Sequence, residues 1–182
     1  MTRRPDDLGL ELAALAQLPA PTTPTVSTDY GQLLLEQHRR QAARPPVSRA
    51  HVHIEAHMEI GLLAHLLRPL WVEGESQISN QPVDKGAVLG KMADVLAALL
   101  ALDLAADAEN LDADDWGELE AGQWSRDSTS STLLRDLAGW AGWNEEWNST
   151  PGWDVTDALC ELAHRLGFTP ADIAARYWGQ TT

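Results

Sequence analysis

The chain has 182 residues, enough for one domain with a substantial core, and its 13 Lys and Arg against 27 Asp and Glu give a net charge of −14. So acidic a surface repels phosphate backbones and anionic lipids, which argues against nucleic-acid and membrane partners. The single cysteine, Cys160, cannot form an internal disulfide, which favours a reduced, cytoplasmic protein.

The N-terminal segment follows paired arginines with a mildly apolar run. Asp6, Asp7 and Glu11 interrupt this run, whereas the apolar region of a secretion signal should be uncharged. No apolar stretch in the chain reaches the roughly 18 residues that a membrane span needs. We therefore expect residues 1–28 to be a flexible segment and residues 29–182 to form one domain.

Helical signals dominate the rest of the chain. No stretch shows sustained alternation of β-branched residues, so the predicted fold class is all-α. Asp154 is the expected N-cap of the penultimate helix, which Gly167 ends, and Thr169 with Pro170 should begin the last helix. The expected helices are 28–44, 49–67, 87–107, 132–142, 154–167 and 169–178, and the expected loop or linker segments are 72–86 and the acidic 107–122.

The second expected helix carries carboxylates on a leucine-rich face. Within "HVHIEAHMEIGLLAHLLRPLW" (51–71), helical spacing places Glu59 on one stripe with Leu63 and Leu66. Glu55 lies one turn earlier on the same stripe. A carboxylate that points into a helical bundle must meet a cation or become protonated, because burying its charge alone is costly.

The third expected helix places a further acid among small residues. Asp94 has Gly90, Ala97, Ala98 and Ala101 around it at helical spacing. Small side chains beside an inward-facing acid leave room for something that is not protein.

Two alternatives to a buried acidic site stay open at this point: acids exposed to solvent, and a zinc site. Glu59 and Asp94 could both lie at the solvent-exposed edge of the bundle, as many acids on amphipathic helices do. His53 and His57 have the i,i+4 spacing of zinc ligands on a helix, but no second ligand pair with the usual spacing follows them.

Three stretches together resemble the all-α nucleoside triphosphate pyrophosphohydrolases, the MazG-like and dimeric dUTPase-like proteins. They are "EIGLLAHLLRPLW" (59–71), "GKMADVLAALLALDLAAD" (90–107) and, more loosely, "LGFTPADIAARYW" (166–178). The resemblance implies a MazG-like helical bundle that dimerises or forms tetramers. It also implies Mg²⁺-dependent conversion of a nucleoside triphosphate to the monophosphate and pyrophosphate.

The resemblance assigns the metal site only in part. The family's four carboxylates form a cage of oxygen ligands that suits Mg²⁺, which polarises the phosphate for attack by water. Glu59 and Asp94 match two of these positions and are the expected catalytic and metal-binding residues. Leu62 and Lys91 stand at the other two positions, and Glu55 is the expected replacement ligand.

The resemblance also suggests residues that contact the substrate. Lys91 should fall near Glu59 and could contact phosphate, or its ammonium group could neutralise the remaining acids without metal. His65, Trp71 and Tyr177 match family positions near the base or in the closing helix.

Three hypotheses for function follow from the sequence. The first is a MazG-like pyrophosphohydrolase with a rearranged Mg²⁺ site, acting on a nucleoside triphosphate. The second is a catalytically inactive protein of the same fold that binds nucleotide or a protein partner. The third is an unrelated helical interaction protein.

Overall fold

The computed structural model describes residues 26–70, 83–105, 117–120, 132–139 and 152–179. Helices occupy most of these residues, and their strand-like pairing is confined to an isolated antiparallel bridge between Asp29 and Glu118. The all-α fold class is therefore confirmed. In chain order the helices are α1 (Tyr30–Ala42), α2 (Arg49–Leu67) with a 3-10 extension (Arg68–Leu70), α3 (Lys85–Ala105), α4 (132–139), α5 (Gly152–Arg165) and α6 (Pro170–Gly179).

Helix α3 is the centre of the bundle, and it contacts α1, α2, α5 and α6. More than half of its residues are buried, which explains why apolar residues occur around most of its circumference. Its most extensive contact is with α2. The face of α2 that meets the core buries Val52, Ala56, Ile60, Leu63 and Leu67, spaced by three or four residues.

Polar side chains cap the helix starts as elementary capping rules require. The side chains of Asp29 and Ser48 accept hydrogen bonds from backbone N–H groups in the first turns of α1 and α2. The expected cap of the last helix is confirmed: Thr169 Oγ1 accepts from the N–H of Asp172 at 3.2 Å, and the Asp172 carboxylate accepts from the N–H of Thr169 at 2.7 Å. The N–H of Thr169, and to a smaller extent its hydroxyl, donate to the Asp172 carboxylate and thereby lower the pKa of Asp172.

Two of the expected helix starts were wrong. Helix α3 begins at Lys85, inside the expected loop, because the side chain of Asp84 caps it by accepting from the N–H of Ala87 at 3.0 Å. Helix α5 begins at Gly152, so Asp154 lies inside its first turn and not at its N-cap. Composition alone places a helix start only to within one or two residues. The expected end after α5 is confirmed, since Gly167 adopts a φ of 82°, a left-handed conformation that favours glycine.

Helix α6 is held to α1 by a buried tyrosine and an arginine. The Tyr177 side chain is fully buried, and its hydroxyl donates to Gln37 Oε1 at 3.1 Å. The Arg40 guanidinium lies 3.9 Å from the centre of the Tyr177 ring and donates to the Tyr177 carbonyl at 2.8 Å. Burial raises the pKa of Tyr177 and outweighs the opposing effect of the Arg40 charge.

Some expectations cannot be compared with the structure. Trp71, most of the expected loop and most of the acidic 107–122 stretch lie outside the described residues, as do residues 1–25. Within the expected N-terminal segment, the Ser27 carbonyl accepts a hydrogen bond from Trp178 Nε1 at 3.0 Å. None of the helices in the described ranges is both long and apolar enough to cross a membrane.

Burial of Cys160 in α5 generates a prediction about alkaline stability. Burial, with a smaller effect of the Asp157 charge, raises the pKa of the Cys160 thiol to about 12. An unfolded chain ionises this thiol near pH ~8.5 while the folded chain retains the proton, so stability falls as pH rises between these values. We expect Cys160→Ala to remove about 2–3 kcal/mol of the loss of unfolding free energy between pH 8 and pH 10.5. Urea unfolding of both proteins at both pH values measures the difference, and parallel losses would contradict it.

Candidate functional site

A lysine from α3 lies between a carboxylate of α2 and a carboxylate of its own helix. Lys91 Nζ is 2.6 Å from Glu59 Oε2 and 2.6 Å from Asp94 Oδ2. The i,i+3 spacing puts Lys91 and Asp94 on one face of α3, and the packing of α2 on that face brings Glu59 to the same point. The side chains of Glu59, Lys91 and Asp94 are 28%, 20% and 37% exposed. The ammonium of Lys91 therefore bridges the two acids at the edge of the bundle.

The electrostatics of this bridge keep the lysine charged. Partial burial by itself lowers the pKa of Lys91, but the hydrogen bonds and charges of Asp94 and Glu59 outweigh burial and leave the pKa raised. A cation with a raised pKa contributes stability at every pH below the ordinary lysine value of ~10.4 and loses that contribution as pH rises through its folded pKa. The bridge is thus a permanent ion pair at neutral pH, with one positive charge for two negative charges.

A groove of about 690 Å³ lies beside the bridge, between the end of α1, the loop that follows it, α2 and α3. Its volume falls within the range of small-molecule pockets. The alanines that the sequence analysis placed beside Asp94 line the α3 side of the groove, so the expected space is present. Its apolar lining includes Val47, Val52, Met58, Ala97, Ala98 and Ala101, and its charged lining comprises Arg40, Arg44, Glu55, Glu59 and Asp94.

Glu55 lines the same groove as Glu59 and Asp94, as expected for three acids on adjoining helix faces. Its side chain is exposed and contacts His51, with Glu55 Oε1 3.1 Å from His51 Nε2. Glu55, Glu59 and Asp94 therefore all line one groove. Each of them also contacts a cationic or hydrogen-bonding neighbour.

The arrangement of these side chains does not fit a magnesium ion. One oxygen of each carboxylate, Glu59 Oε2 and Asp94 Oδ2, contacts the Lys91 ammonium, which lies between the two acids where a shared metal ion would have to lie. In the described ranges no group of three or more His, Cys, Asp or Glu side chains is placed to hold a metal ion. Leu62, at the position of the family's second glutamate, is exposed and supplies no oxygen.

The remaining expected substrate contacts lie away from the groove. His65 is exposed on α2, and Tyr177 is fully buried between α6 and α1. Neither residue lines the groove, and Trp71 lies outside the described residues. Of the three expected substrate residues that the structure describes, Lys91 alone lies at the candidate site, where it contacts two of the groove's acids.

The end of α1, for which the sequence patterns predicted no role, forms part of the groove. Arg40 and Arg44 both line it, together with Pro45 and Pro46 of the following loop. Arg40 is already bound, through Glu36 at 3.1 Å and the Tyr177 carbonyl. The signal that could have found this wall is the basic cluster "HRRQAAR" (38–44) in an otherwise acidic chain.

No known protein family, curated protein or solved structure matches this chain. The resemblance to the MazG-like proteins accordingly rests on the three sequence stretches alone.

The Lys91 bridge generates a prediction about stability and salt. Lys91→Met retains the aliphatic stem but leaves Glu59 and Asp94 facing each other, so we expect about 1–3 kcal/mol lower unfolding free energy. High salt should recover part of this loss by screening the two carboxylates. The exposed Lys85, changed in the same way, is the matched control. Denaturant unfolding of both variants at low and high NaCl measures the effect, and equal stability of the two variants would refute the bridge's contribution.

Proposed function

We propose that this chain is a non-catalytic, protein-binding member of a MazG-like helical architecture, in which a lysine replaces the catalytic metal. The observation that carries the proposal is the position of the Lys91 ammonium, 2.6 Å from a carboxylate oxygen on each side. The positive charge of a lysine side chain thus lies between the acids for which the resemblance implies a metal ion.

Replacing a metal by an ammonium group changes what the site can do. Phosphoryl-transfer enzymes use metal ions to bind the triphosphate and to neutralise the charge that develops on it. A lysine committed to two carboxylates has its charge already neutralised. A triphosphate in this groove would meet Glu55 as well as Arg40 and Arg44, and Arg40 is already paired with Glu36, so the charges of the lining largely cancel and give a triphosphate little net attraction without metal. A protein partner, unlike a triphosphate, can bind without a metal ion to neutralise its charge.

The competing function is a Mg²⁺-dependent nucleoside triphosphate pyrophosphohydrolase with a rearranged site. The presence of Glu55, Glu59 and Asp94 around one groove favours it. In that case Lys91 would have to leave its carboxylates, so that the oxygens could hold Mg²⁺ and the ammonium could contact phosphate. The two functions therefore predict opposite responses to magnesium.

Magnesium titration decides between these two functions. For the protein-binding function we expect millimolar Mg²⁺ to leave the melting temperature of the wild type, Glu59→Gln and Asp94→Asn unchanged, because a ligand stabilises only a protein that binds it. We also expect no pyrophosphate release from any nucleoside triphosphate. A Mg²⁺-dependent rise that Glu59→Gln and Asp94→Asn abolish, but the half-buried control Asp136→Asn on α4 retains, would establish the hydrolase instead.

Restoring the four-carboxylate pattern should create a metal requirement. Leu62→Glu/Lys91→Glu changes the local charge by about −3, one unit from Leu62 and two from Lys91, so the clustered acids should destabilise the metal-free protein. Millimolar Mg²⁺ should then restore its melting temperature. The matched control Leu62→Glu/Lys85→Glu makes the same change in net charge but leaves the Lys91 bridge intact. Identical magnesium responses of the two double variants would contradict the placement of the site.

A further inference from the structure

The α1 wall of the groove contains a buried amide whose N–H groups have no acceptor. Gln37, Gln41 and Arg44 follow one another at helical spacing, so they share the face of α1 that lines the groove. The Gln37 side chain is only 7% exposed. Its Oε1 accepts from the Tyr177 hydroxyl, whereas its Nε2 has no hydrogen-bond partner among the described residues. A buried N–H group without an acceptor is unfavourable, so this amide calls for an acceptor from a molecule in the groove.

The same wall carries a second donor at its far end. Arg40 is held by Glu36 and by the Tyr177 carbonyl. The guanidinium of Arg44, by contrast, forms no ion pair within the part of the chain that the structure describes. The α1 wall therefore offers two sets of N–H donors, from Gln37 and Arg44, about two helical turns apart.

The α2 wall presents the opposite demand. Glu55 and Glu59 both line the groove one helical turn apart, a spacing at which like charges repel. Glu59 uses Oε2 to contact Lys91, which it shares with Asp94, and Glu55 uses Oε1 to contact His51. Within the described ranges, the second oxygen of each glutamate has no partner. A cation placed between Glu55 and Glu59 would relieve their repulsion.

We propose that the groove is the docking site for a peptide segment of a partner protein, in which a Lys or Arg stands between apolar residues. The basic side chain lies between Glu55 and Glu59, and main-chain carbonyls accept from Gln37 and Arg44. The apolar neighbours pack on the alanines of α3. This inference deepens the proposed protein-binding function and rests on it, since it names the chemistry of the partner.

The dimensions of the groove fit a short peptide. Its α3 wall runs from Asp94 to Ala105, which is roughly 16 Å at a rise of about 1.5 Å per residue. About five residues of extended chain, at ~3.3 Å each, cover that length. Ala97, Ala98 and Ala101 leave room along it for apolar side chains. A peptide also supplies a carbonyl acceptor at every residue, whereas a small cation would occupy the acidic wall and leave the donors of α1 unused.

The charge of the whole chain favours the same partner. A net charge of −14 attracts a basic segment at long range and repels an acidic one. Salt screens this attraction, so binding should weaken as NaCl increases.

NMR titration of the full chain with a defined peptide tests the chemistry of the partner. The probe is acetyl-Leu-Ala-Arg-Ala-Leu-amide, and the matched control peptide has Glu in place of Arg. We expect the Arg peptide to bind about tenfold more tightly or better, because it alone offers a cation to Glu55 and Glu59. Equal binding of the two peptides, or no binding of the Arg peptide at millimolar concentration, overturns the inference.

Variants of the chain test the location of the peptide. Glu55→Gln should weaken binding of the Arg peptide by about fivefold, while Glu120→Gln, which changes the charge of another exposed acid equally, should not. Ala97→Phe should fill the groove and abolish binding, while Ala175→Phe on the exposed side of α6 should not. Circular dichroism checks that each variant is folded, and Glu55→Gln, whose site is exposed, decides alone if Ala97→Phe unfolds. Binding that survives Glu55→Gln unchanged overturns the docking site.

The same spectra test the buried amide. The side-chain N–H signal of Gln37 should shift when the Arg peptide binds, because its protons gain an acceptor. The exposed Gln32 of the same helix is the matched control and should not shift. A Gln37 signal that stays in place while the peptide binds assigns the peptide to another surface and overturns the inference.

Two other occupants of the groove give different results. If N-acetylarginine amide binds as tightly as the peptide, the groove takes a small cation and the peptide inference is overturned. If Arg3→Gln/Arg4→Gln tightens peptide binding about tenfold, the chain's own basic N-terminal segment fills the groove and the partner inference is overturned. None of these titrations contains magnesium, so the inference can fail while the non-catalytic function stands, and the magnesium titration decides that function separately.

Discussion

The contact of Lys91 with Glu59 and Asp94 sets how the two most closely packed helices of the bundle face each other. The apolar side chains of α2 and α3 supply most of the attraction between these helices, but apolar contact is non-directional. The Lys91 ammonium, 2.6 Å from Glu59 Oε2 of α2 and 2.6 Å from Asp94 Oδ2 of its own helix, adds a directional contact at one position along this pair of helices. The three groups are partly exposed, so their net energy lies between that of a surface ion pair and that of a buried one. Their main contribution is therefore to register.

The groove follows from that register. Once Glu59 is fixed beside Asp94, the next turns of α3 that face the space between the helices carry alanines, which are too small to fill it. The end of α1 and the loop after it form the far wall, which carries Arg40, Arg44, Pro45 and Pro46. The groove so formed combines an apolar α3 wall with acids and bases on its other sides. It has the size of a ligand site, and two of its carboxylates, Glu59 and Asp94, contact the Lys91 ammonium.

Helix α2 carries apolar side chains on the side that faces the core and on the side that faces solvent. Its apolar residues are spread almost evenly around its circumference, in contrast to the one-sided pattern of an ordinary surface helix. One stripe packs on α3, and the other contains Ile54, Met58 and Leu62. The inner stripe is therefore buried against α3, while the outer side chains are exposed in the described part of the chain.

The local sequence determined the all-α class, the bounds of α2 and the cap of the last helix, because helical periodicity and capping act within a few residues. It also determined the alanines beside Asp94 and, through the family resemblance, the neighbourhood of Lys91 and Glu59. Tertiary structure alone decided that Tyr177 is a core residue, since its burial depends on Gln37 and Arg40, more than a hundred residues earlier in the chain. The same is true of the groove's α1 wall and of the division of α2 into an inner stripe and an outer stripe. These features arise where separate helices meet, and the relative position of two helices is fixed by packing and charge between residues distant in sequence.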